Sequence, residues 1–237
     1  MTEAIILAGG LGTRLRSTVP DLPKPMAPIN GRPFLEHQMD YWIQQGVTRF
    51  ILSVGFLREK IIAHFQHQYR GFEVVYAEEV EPLGTGGGLL LAYQKLKGDQ
   101  PFVVMNGDTF FEVDSDSLCA FHKKNNVIMT MALFKVPEND RYMGVQVSED
   151  GYIQKFKAEQ GASQFANGGV YLMNRDAFKN VPWQAGVKLS LEDDLFQHLL
   201  KSGQKLGGML YDGRFIDIGV PSDYHRAATV LAEKDIQ

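Results

Sequence analysis

The alternation of short apolar segments with helix-length amphipathic segments in the first half of the chain constrains its fold more than any other feature. Apolar, β-rich composition predicts four strands, at Ala4–Ala8, Phe50–Val54, Phe72–Tyr76 and Phe102–Met105. Amphipathic stretches near 33–45, 57–68 and 86–96 separate these strands and predict helices. An alternation of this kind indicates βαβ units and a mostly parallel sheet that is covered by helices on both faces.

The spacing of the predicted elements changes after residue 107, where strand-like segments follow one another more closely. We expect further strands at Val127–Phe134, Gly144–Ser148, Tyr152–Phe156, Gly168–Met173 and Phe215–Ile218, and helices over Glu192–Lys201 and from Pro221. These strands would extend the same sheet with mixed polarity, and no Pro/Gly/Ser-rich linker separates the two halves. The predicted fold is therefore α/β, a Rossmann-like three-layer sandwich with a central mixed, mostly parallel sheet, formed by residues 1–237 as one domain.

Charge and composition exclude several classes of protein. The 24 Lys and Arg against 28 Asp and Glu give a net charge of −4, which does not provide the basic face of a general nucleic-acid binder. Cys119 is the only cysteine, so neither an intramolecular disulfide nor a cysteine-built zinc site can form. The N-terminal sequence MTEAIILAGG lacks the basic region of a signal peptide, and no uncharged apolar run approaches about 18 residues. We expect a cytoplasmic protein without nucleic-acid or membrane partners.

A glycine-rich loop directly follows the first predicted strand. It reads LAGGLGTRL and contains Gly9, Gly10 and Gly12. Because glycine has no Cβ, the backbone N–H groups of such a loop can approach a bulky anion. A P-loop ATPase would have Lys-Ser/Thr after the last glycine, and the dinucleotide-binding fingerprint would have a glycine in place of Leu15. The loop is thus of a phosphate-binding type but belongs to neither class; the alternative is a tight turn with incidental glycines.

Lys24 stands between two prolines in a stiff segment, ten residues after Arg14. Each proline fixes its own φ, and Pro25 also restricts Lys24. Alone, this lysine could be a solvated loop residue, but together with Arg14 it could clamp a triphosphate opposite the glycine-rich loop. The combined pattern, LAGGLGTRL followed by PKPM, resembles that of the sugar-1-phosphate nucleotidyltransferases. These enzymes make a nucleotide sugar and pyrophosphate from a nucleoside triphosphate (NTP) and a sugar 1-phosphate.

The resemblance implies roles for the residues around the nucleotide. A second glycine-rich loop, EPLGTGGG, opens the third predicted helix, where free N–H groups would face a ligand. The implied nucleotide-binding residues are Leu7, Ala8, Gly9, Gly10, Gly12, Thr13, Pro82, Leu83, Gly84, Thr85, Asn106 and Gly107. Arg14 and Lys24 are the implied catalytic cations, acting on the leaving pyrophosphate and on the α-phosphate, respectively.

The resemblance also implies a Mg²⁺ ion held by Asp108 and Asp217, each at the end of a predicted strand. Hard carboxylate oxygens, completed by phosphate oxygens and water, are how proteins commonly bind Mg²⁺. The alternatives are an Asx turn at Asp108 and a solvent-facing Asp217. A rival metal site of the glycosyltransferase D-x-D type lies at Asp114-Ser115-Asp116, but Asp116-Ser117 favours a helix N-cap before Leu118–Lys124.

For the sugar, the resemblance implies contacts by Tyr142, Gly144, Asn167, Gly168, Gly169 and Glu192. Glu192 has an alternative explanation, because Ser190 and Asp193 form a capping-box pattern at the start of a helix. One segment departs from the family. Many members have F-x-E-K, where the glutamate contacts sugar hydroxyls and the lysine contacts the sugar phosphate, whereas this chain has FKAE, with Ala158 and Glu159 at those positions. Strand alternation predicts that Lys155 and Lys157 point away from the Ala158 side.

Within the family, the segments PKPMAPI, EPLGTGG and FIDIGVP most resemble those of guanylyltransferases that act on D-glycero-α-D-manno-heptose 1-phosphate. We therefore expect GTP and this sugar phosphate as substrates, with the nucleotide bound by residues 1–110 and the sugar by residues 111–237. The alternatives are a uridylyl- or thymidylyltransferase acting on a hexose or N-acetylmuramic acid 1-phosphate, and a non-catalytic regulator that binds a nucleotide sugar. A monomer and a homo-oligomer both remain open.

Overall fold

The computed structural model describes residues 2–15, 18–136, 142, 144–158 and 163–232, with the side chain of residue 158 excepted. Its strands are β1 (Thr2–Ala8), β2 (Pro28–Ile29), β3 (Arg32–Pro33), β4 (Val47–Val54), β5 (Gln68–Tyr69), β6 (Phe72–Glu78), β7 (Phe102–Asn106), β8 (Thr109–Phe111), β9 (Met129–Lys135), β10 (Gly144–Val147), β11 (Ile153–Ala158), β12 (Phe165–Met173), β13 (Leu206–Leu210) and β14 (Phe215–Asp217). The α-helices are α1 (Phe34–Gln44), α2 (Arg58–Phe65), α3 (Gly84–Tyr93), α4 (Ser115–Lys124), α5 (Phe196–Lys201) and α6 (Pro221–Val230). Short 3₁₀ turns at Lys24–Met26 and Arg175–Phe178 and a π-helical turn at Leu191–Leu195 complete the elements.

In the described part of the chain, ten strands form the central sheet, in the order β11-β10-β12-β7-β1-β4-β6-β5, with β9 paired to β12 and β13 paired to β9. The central strands β7, β1, β4 and β6 are parallel to one another, whereas β12 runs antiparallel to β7. The four strands predicted in the first half of the chain are therefore confirmed, and so is the mixed, mostly parallel character of the sheet.

Both faces of the sheet are covered, which confirms the three-layer arrangement. Side chains alternate along β1, so Ile5 packs on one face with Leu89 of α3, while Ile6 packs on the opposite face with Leu35 of α1. Helices α1, α2 and α4 cover one face, and α3 and α5 cover the other. In the described part of the chain, no helix is long and apolar enough to cross a membrane.

Two predictions for the second half of the chain are wrong. The strand expected at Phe215–Ile218 exists as β14, but it pairs with β8 in a separate two-stranded antiparallel sheet and does not extend the central one. The start of α4 is also earlier than predicted, because Asp114 is the N-cap: its carboxylate accepts the N–H of Ser117 at 2.8 Å. Asp116 lies inside the first helical turn.

The strand order places the ends of β1 and β7 at a topological switch point. From β1 the chain passes to β4 on one side, and the later strand β7 pairs with β1 on the other side. In open α/β sheets, the carboxyl ends of strands at such a point border the crevice where ligands bind. The glycine-rich loop after β1 and the Asn106–Asp108 turn after β7 therefore lie side by side, and the N–H of Gly107 donates to the carbonyl of Leu7 at 2.9 Å.

Candidate active site

Two adjoining cavities occupy this crevice. The first cavity, of about 480 Å³, is lined by Arg14, Lys24, Asp108 and every predicted nucleotide-binding residue except Leu83, which is buried. The second cavity, of about 310 Å³, is lined by Tyr142, Asn167, Gly169, Glu192 and Asp217 among the predicted residues. Asn106 lines both cavities. The chain therefore brings together two groups of predicted site residues that lie far apart in the sequence.

The glycines of the first loop meet different requirements. Gly12 has a φ of +59°, a left-handed conformation that glycine adopts without strain. A Cβ on Gly9 would come within 2.1 Å of Glu79 Oε1, whereas a Cβ on Gly10 would meet no atom within 4 Å. Gly9 is therefore required for packing, and Gly10 keeps the loop surface open to the cavity.

Glu79 also lines the first cavity, although no sequence motif predicted it there. Its side chain lines the first cavity but is only 6% exposed, and its carboxylate accepts the Ser53 hydroxyl at 3.1 Å and the Leu83 N–H at 2.9 Å. These two contacts tie the loop that follows β6 to the middle of the sheet. Its position in the sequence could have indicated this, since Glu79 directly follows β6 and the carboxyl end of β6 lies at the same sheet edge as Asn106.

The second glycine-rich loop makes room for protein backbone. The N–H groups of Gly86 and Gly87 donate to the carbonyl of Leu189, at 2.9 and 3.3 Å. A Cβ on Gly87 would lie 2.3 Å from the Val187 carbonyl oxygen, and one on Gly84 would lie 2.5 Å from that of Leu189. The expectation that the N–H groups of this loop face a ligand is therefore wrong for Gly86 and Gly87.

The segment 187–191, whose backbone packs against these glycines, contains a further cavity-lining residue that the sequence did not predict, Lys188. Lys188 lines the first cavity together with the glycine-rich loop, and it is exposed. The segment is fixed to α3 because the Leu189 N–H donates to the Leu83 carbonyl at 2.8 Å and the Leu191 N–H donates to the Thr85 hydroxyl at 2.9 Å. A single lysine in an irregular segment carries no sequence signal that would have identified it.

Lys24 and Asp108 form an ion pair at the edge of the first cavity. Lys24 begins the 3₁₀ turn after Pro23, and its Nζ lies 2.7 Å from Asp108 Oδ2. The lysine side chain is 11% exposed and the aspartate side chain 34%, so the pair is partly shielded from water. Arg14 lines the same cavity and is exposed. This cavity therefore has two cations and one carboxylate of the predicted site on its surface.

The small sheet formed by β8 and β14 brings Asp217 close to Asp108. The Ile218 N–H donates to the Asp108 carbonyl at 3.0 Å, and Asp217 is paired with Thr109. Asp217 lines the second cavity rather than the first, and its Oδ1 accepts the Gly219 N–H at 2.6 Å. One carboxylate lies in the turn before β8 and the other at the end of β14. Two such carboxylates are a donor set that suits Mg²⁺, which usually takes one or two protein carboxylates together with substrate phosphates. Among the described residues, no group of three or more His, Cys, Asp or Glu forms a complete protein cage for a metal.

A bulge in β12 shapes the second cavity. The pairing of β12 with β9 is interrupted between Asn167 and Tyr171, and Gly169 has a φ of +71°. Asn167 stabilises the bulge, since it accepts the Gly169 N–H at 2.9 Å and donates to the Tyr171 hydroxyl at 2.7 Å. Two predicted sugar contacts lie outside this cavity. Gly168 packs on Phe111, where a Cβ would come within 2.4 Å of the ring, and Gly144 is buried in β10.

Glu192 lines the second cavity although it is the second residue of the π-helical turn Leu191–Leu195. The cap of that turn is made by its neighbours, because Ser190 Oγ accepts the Asp193 N–H at 3.0 Å and the Ser190 N–H donates to Asp194 at 2.8 Å. Glu192 is therefore not used in the cap, and burial raises the pKa of its carboxyl above the usual range. The predicted capping function of Ser190 and the position of Glu192 at the cavity are compatible.

Lys157 also lines the second cavity, contrary to the strand alternation that predicted otherwise. Its φ of +52° interrupts the regular alternation at the end of β11, and its ammonium group forms an ion pair with Asp193. The local conformation, which alternation arguments cannot include, is the reason for the difference. Glu159 of the FKAE segment lies outside the described residues.

A crevice that combines a glycine-rich loop with an adjoining cavity lined by Asn167, Glu192 and Asp217 fits an enzyme that joins a nucleotide to a second substrate. Residues 3–234 match the nucleotidyl transferase family, and the chain belongs to that family. It is 40% identical over 224 residues to the D-glycero-alpha-D-manno-heptose 1-phosphate guanylyltransferase of Campylobacter jejuni, covering 94% of this chain and 97% of that protein. The enzyme of the same name from Aneurinibacillus thermoaerophilus is 40% identical over 230 residues, covering 97% and 98%. The crystal structure of HddC from Yersinia pseudotuberculosis complexed with GMP-PN superposes with a TM-score of 0.83 at 32% identity, covering 98% of this chain and all of that one.

Proposed function

We propose that this nucleotidyltransferase transfers a guanylyl group from GTP to D-glycero-α-D-manno-heptose 1-phosphate and releases pyrophosphate. The observation that carries the proposal is the junction of the two cavities at Asn106, which lines both and would bring a nucleotide and a sugar phosphate into contact. The choice of GTP and heptose is supported by the two relatives that are 40% identical over nearly the full length of both chains. In this proposal, the half comprising about 1–110 binds GTP and the half comprising about 111–237 binds the sugar.

The proposed reaction is a direct displacement at the α-phosphorus. A phosphate oxygen of the sugar phosphate attacks in line, the bond from the α-phosphorus to the bridging oxygen breaks, and that oxygen leaves with the pyrophosphate. The second pKa of a phosphate monoester is about 6, so the attacking group is already ionised at neutral pH and needs no general base. Catalysis is then a matter of positioning the two substrates and neutralising charge.

The cations of the first cavity have distinct tasks in this reaction. Lys24 stabilises the charge that develops at the α-phosphate, where its pairing with Asp108 already holds it at the cavity edge. Arg14 binds the departing pyrophosphate from the mouth of the glycine-rich loop. Asp108 and Asp217 would hold Mg²⁺, which, when bound, neutralises phosphate charge as a Lewis acid.

The function is tested by measuring pyrophosphate release with ATP, CTP, GTP, UTP and dTTP, each combined with a panel of sugar 1-phosphates, in the presence of Mg²⁺. We expect the highest kcat/KM with GTP and the heptose phosphate. A preference for UTP or dTTP with a hexose or N-acetylmuramic acid 1-phosphate would replace the guanylyl assignment with the corresponding alternative. Absence of turnover with every pair would leave the non-catalytic regulator as the better interpretation.

Lys157 is the proposed cation for the phosphate of the sugar substrate, in place of the family's lysine, whose position is occupied by Glu159 in this chain. A hydrogen bond to a charged group contributes about 1.5–3 kcal/mol, so Lys157→Met is expected to raise the KM for the sugar phosphate about tenfold or more and to leave the KM for GTP unchanged. Steady-state kinetics with each substrate varied in turn will measure this. The matched control is Lys155→Met, an exposed lysine of the same strand that does not line the cavity. Equal effects of the two substitutions would rule out a phosphate contact by Lys157.

A further inference from the structure

A buried glutamine on α1 makes hydrogen bonds to the turn that separates the two cavities. Gln38 is 1% exposed and lies among the apolar residues of the face covered by α1. Its Nε2 donates to the carbonyl of Asn106 at 2.9 Å and to the carbonyl of Thr109 at 2.8 Å. These two carbonyls flank Gly107 and Asp108, so one side chain holds both ends of the four-residue turn.

The orientation of the Gln38 amide follows from its surroundings. Rotating the amide by half a turn would place Oε1 against two carbonyl oxygens, where it could accept nothing. In the observed orientation, Oε1 is buried and has no hydrogen-bond partner among the described residues. A buried acceptor without a partner destabilises a fold, so such groups in native proteins need an explanation. Here the explanation is that the amide orientation that donates both hydrogens to the turn leaves Oε1 without a partner.

The turn held by Gln38 is the shared wall of the two cavities. Asn106 lines both, Asp108 lines the first, and Thr109 lines the second. Two further backbone groups of the wall are hydrogen-bonded, since the Gly107 N–H donates to the Leu7 carbonyl and the Asp108 carbonyl accepts the Ile218 N–H. Gln38 is the side chain that adds α1 to these backbone contacts.

We propose that Gln38 is a positioning residue for nucleotidyl transfer, acting through this wall. This inference rests on the proposed function, because the wall sets how the attacking phosphate approaches the α-phosphorus of the bound nucleotide. In-line displacement depends on near-attack distances, and a misplacement of about 1 Å can lower a rate about 100-fold. Loss of the two hydrogen bonds would let the wall shift without removing any group that touches either substrate.

The test is the variant Gln38→Met, which approximately preserves side-chain volume and removes both donors. We expect kcat to fall about 10- to 100-fold, while the KM values for GTP and for the sugar phosphate change less than about threefold. Binding of each substrate to the variant, measured calorimetrically with a non-hydrolysable GTP analogue and with the sugar phosphate alone, should match the wild type. Hydrogen exchange at the Gly107 amide should be faster in the variant, because the wall opens more readily.

The matched control is Gln45→Met at the end of the same helix. Gln45 Oε1 accepts the N–H of Ser115, away from both cavities, so its loss should lower the melting temperature and leave kcat within about twofold. A kcat for Gln38→Met equal to that of Gln45→Met would overturn the proposal, and so would a parallel loss of binding of both substrates.

If Gln38→Met does not fold, the comparison is made with Gln38→Asn, whose amide is one methylene too short to reach both carbonyls. Wild-type protein without turnover would contradict the proposed function, whereas an active wild type with an equally active Gln38→Met contradicts only this inference.

Discussion

Replacing Asp108 by asparagine is expected to lower kcat about 10³-fold, the equivalent of several kcal/mol of charge stabilisation at the phosphates. Asparagine keeps the shape of the side chain and an oxygen that can accept a hydrogen bond from Lys24, but it carries no charge for a metal ion. The substitution therefore distinguishes a metal ligand from a residue that only orients Lys24 through the 2.7 Å contact. Steady-state kinetics across a range of Mg²⁺ concentrations will measure the effect. We expect the rate of the variant to keep increasing at Mg²⁺ concentrations at which the rate of the wild type is already constant.

Asp114→Asn and Asp116→Asn are the controls for Asp108→Asn, because these aspartates form the rival D-x-D pattern. Asp114 caps α4 and Asp116 lies in its first turn, and neither is among the described residues that line the first or the second cavity. Both variants should keep wild-type kcat, and Asp114→Asn should lower stability by about 1 kcal/mol or less, since asparagine is also a good N-cap. A tenfold loss of kcat in either control, with near-normal turnover in Asp108→Asn, would move the metal site to the D-x-D segment.

Lys24→Met is expected to lower kcat about 10²- to 10³-fold, as does removing a positioned donor from other sites where charge develops. The methionine keeps most of the apolar side chain but cannot stabilise the α-phosphate. Because Lys24 and Asp108 pair in the described structure, the double variant should lose less than the product of the two single losses. Pre-steady-state measurement of pyrophosphate release will separate the chemical step from product release.

Lys97→Met provides the control for Lys24→Met. The Lys97 ammonium donates to Glu73 at 2.9 Å, at the amino end of the parallel strands and thus at the edge opposite the cavities. Its kcat and both KM values should equal those of the wild type. Unaltered kcat in Lys24→Met would remove Lys24 from the catalytic machinery, whatever the outcome for Asp108.

The fold was predictable where local sequence patterns determine it. The parallel strands β1, β4 and β7 are buried along most of their length on both faces, so each appears in the sequence as an apolar segment between helices. β13 and β8 went unpredicted because β13 contains the adjacent Gly207 and Gly208 and β8 has only three residues. The assignment of β14 to the central sheet failed because strand partners are chosen by tertiary contacts, which hydrophobic patterns do not specify.

Motifs predicted much of the candidate site, and contacts between distant segments determined the rest. The loop after β1 and the Lys24 segment are contiguous in sequence, so their chemistry is apparent from residue types and spacing. Glu79, Lys188 and Gln38 reach the site or its wall through packing between distant segments. The positive φ of Lys157 likewise depends on the local conformation at the end of β11.

The segment 187–191 has a consequence for how this enzyme could change over time. It belongs to the second half of the chain, yet it is hydrogen-bonded to the start of α3 in the first half, and its Lys188 lines the first cavity. The two halves are therefore not interchangeable modules. If the second cavity binds the sugar and the first binds the nucleotide, as proposed, we expect a substitution that reshapes the second cavity near Glu192 to disturb the start of α3 as well, through the hydrogen bonds of Leu189 and Leu191. The preferences for base and for sugar would then change together.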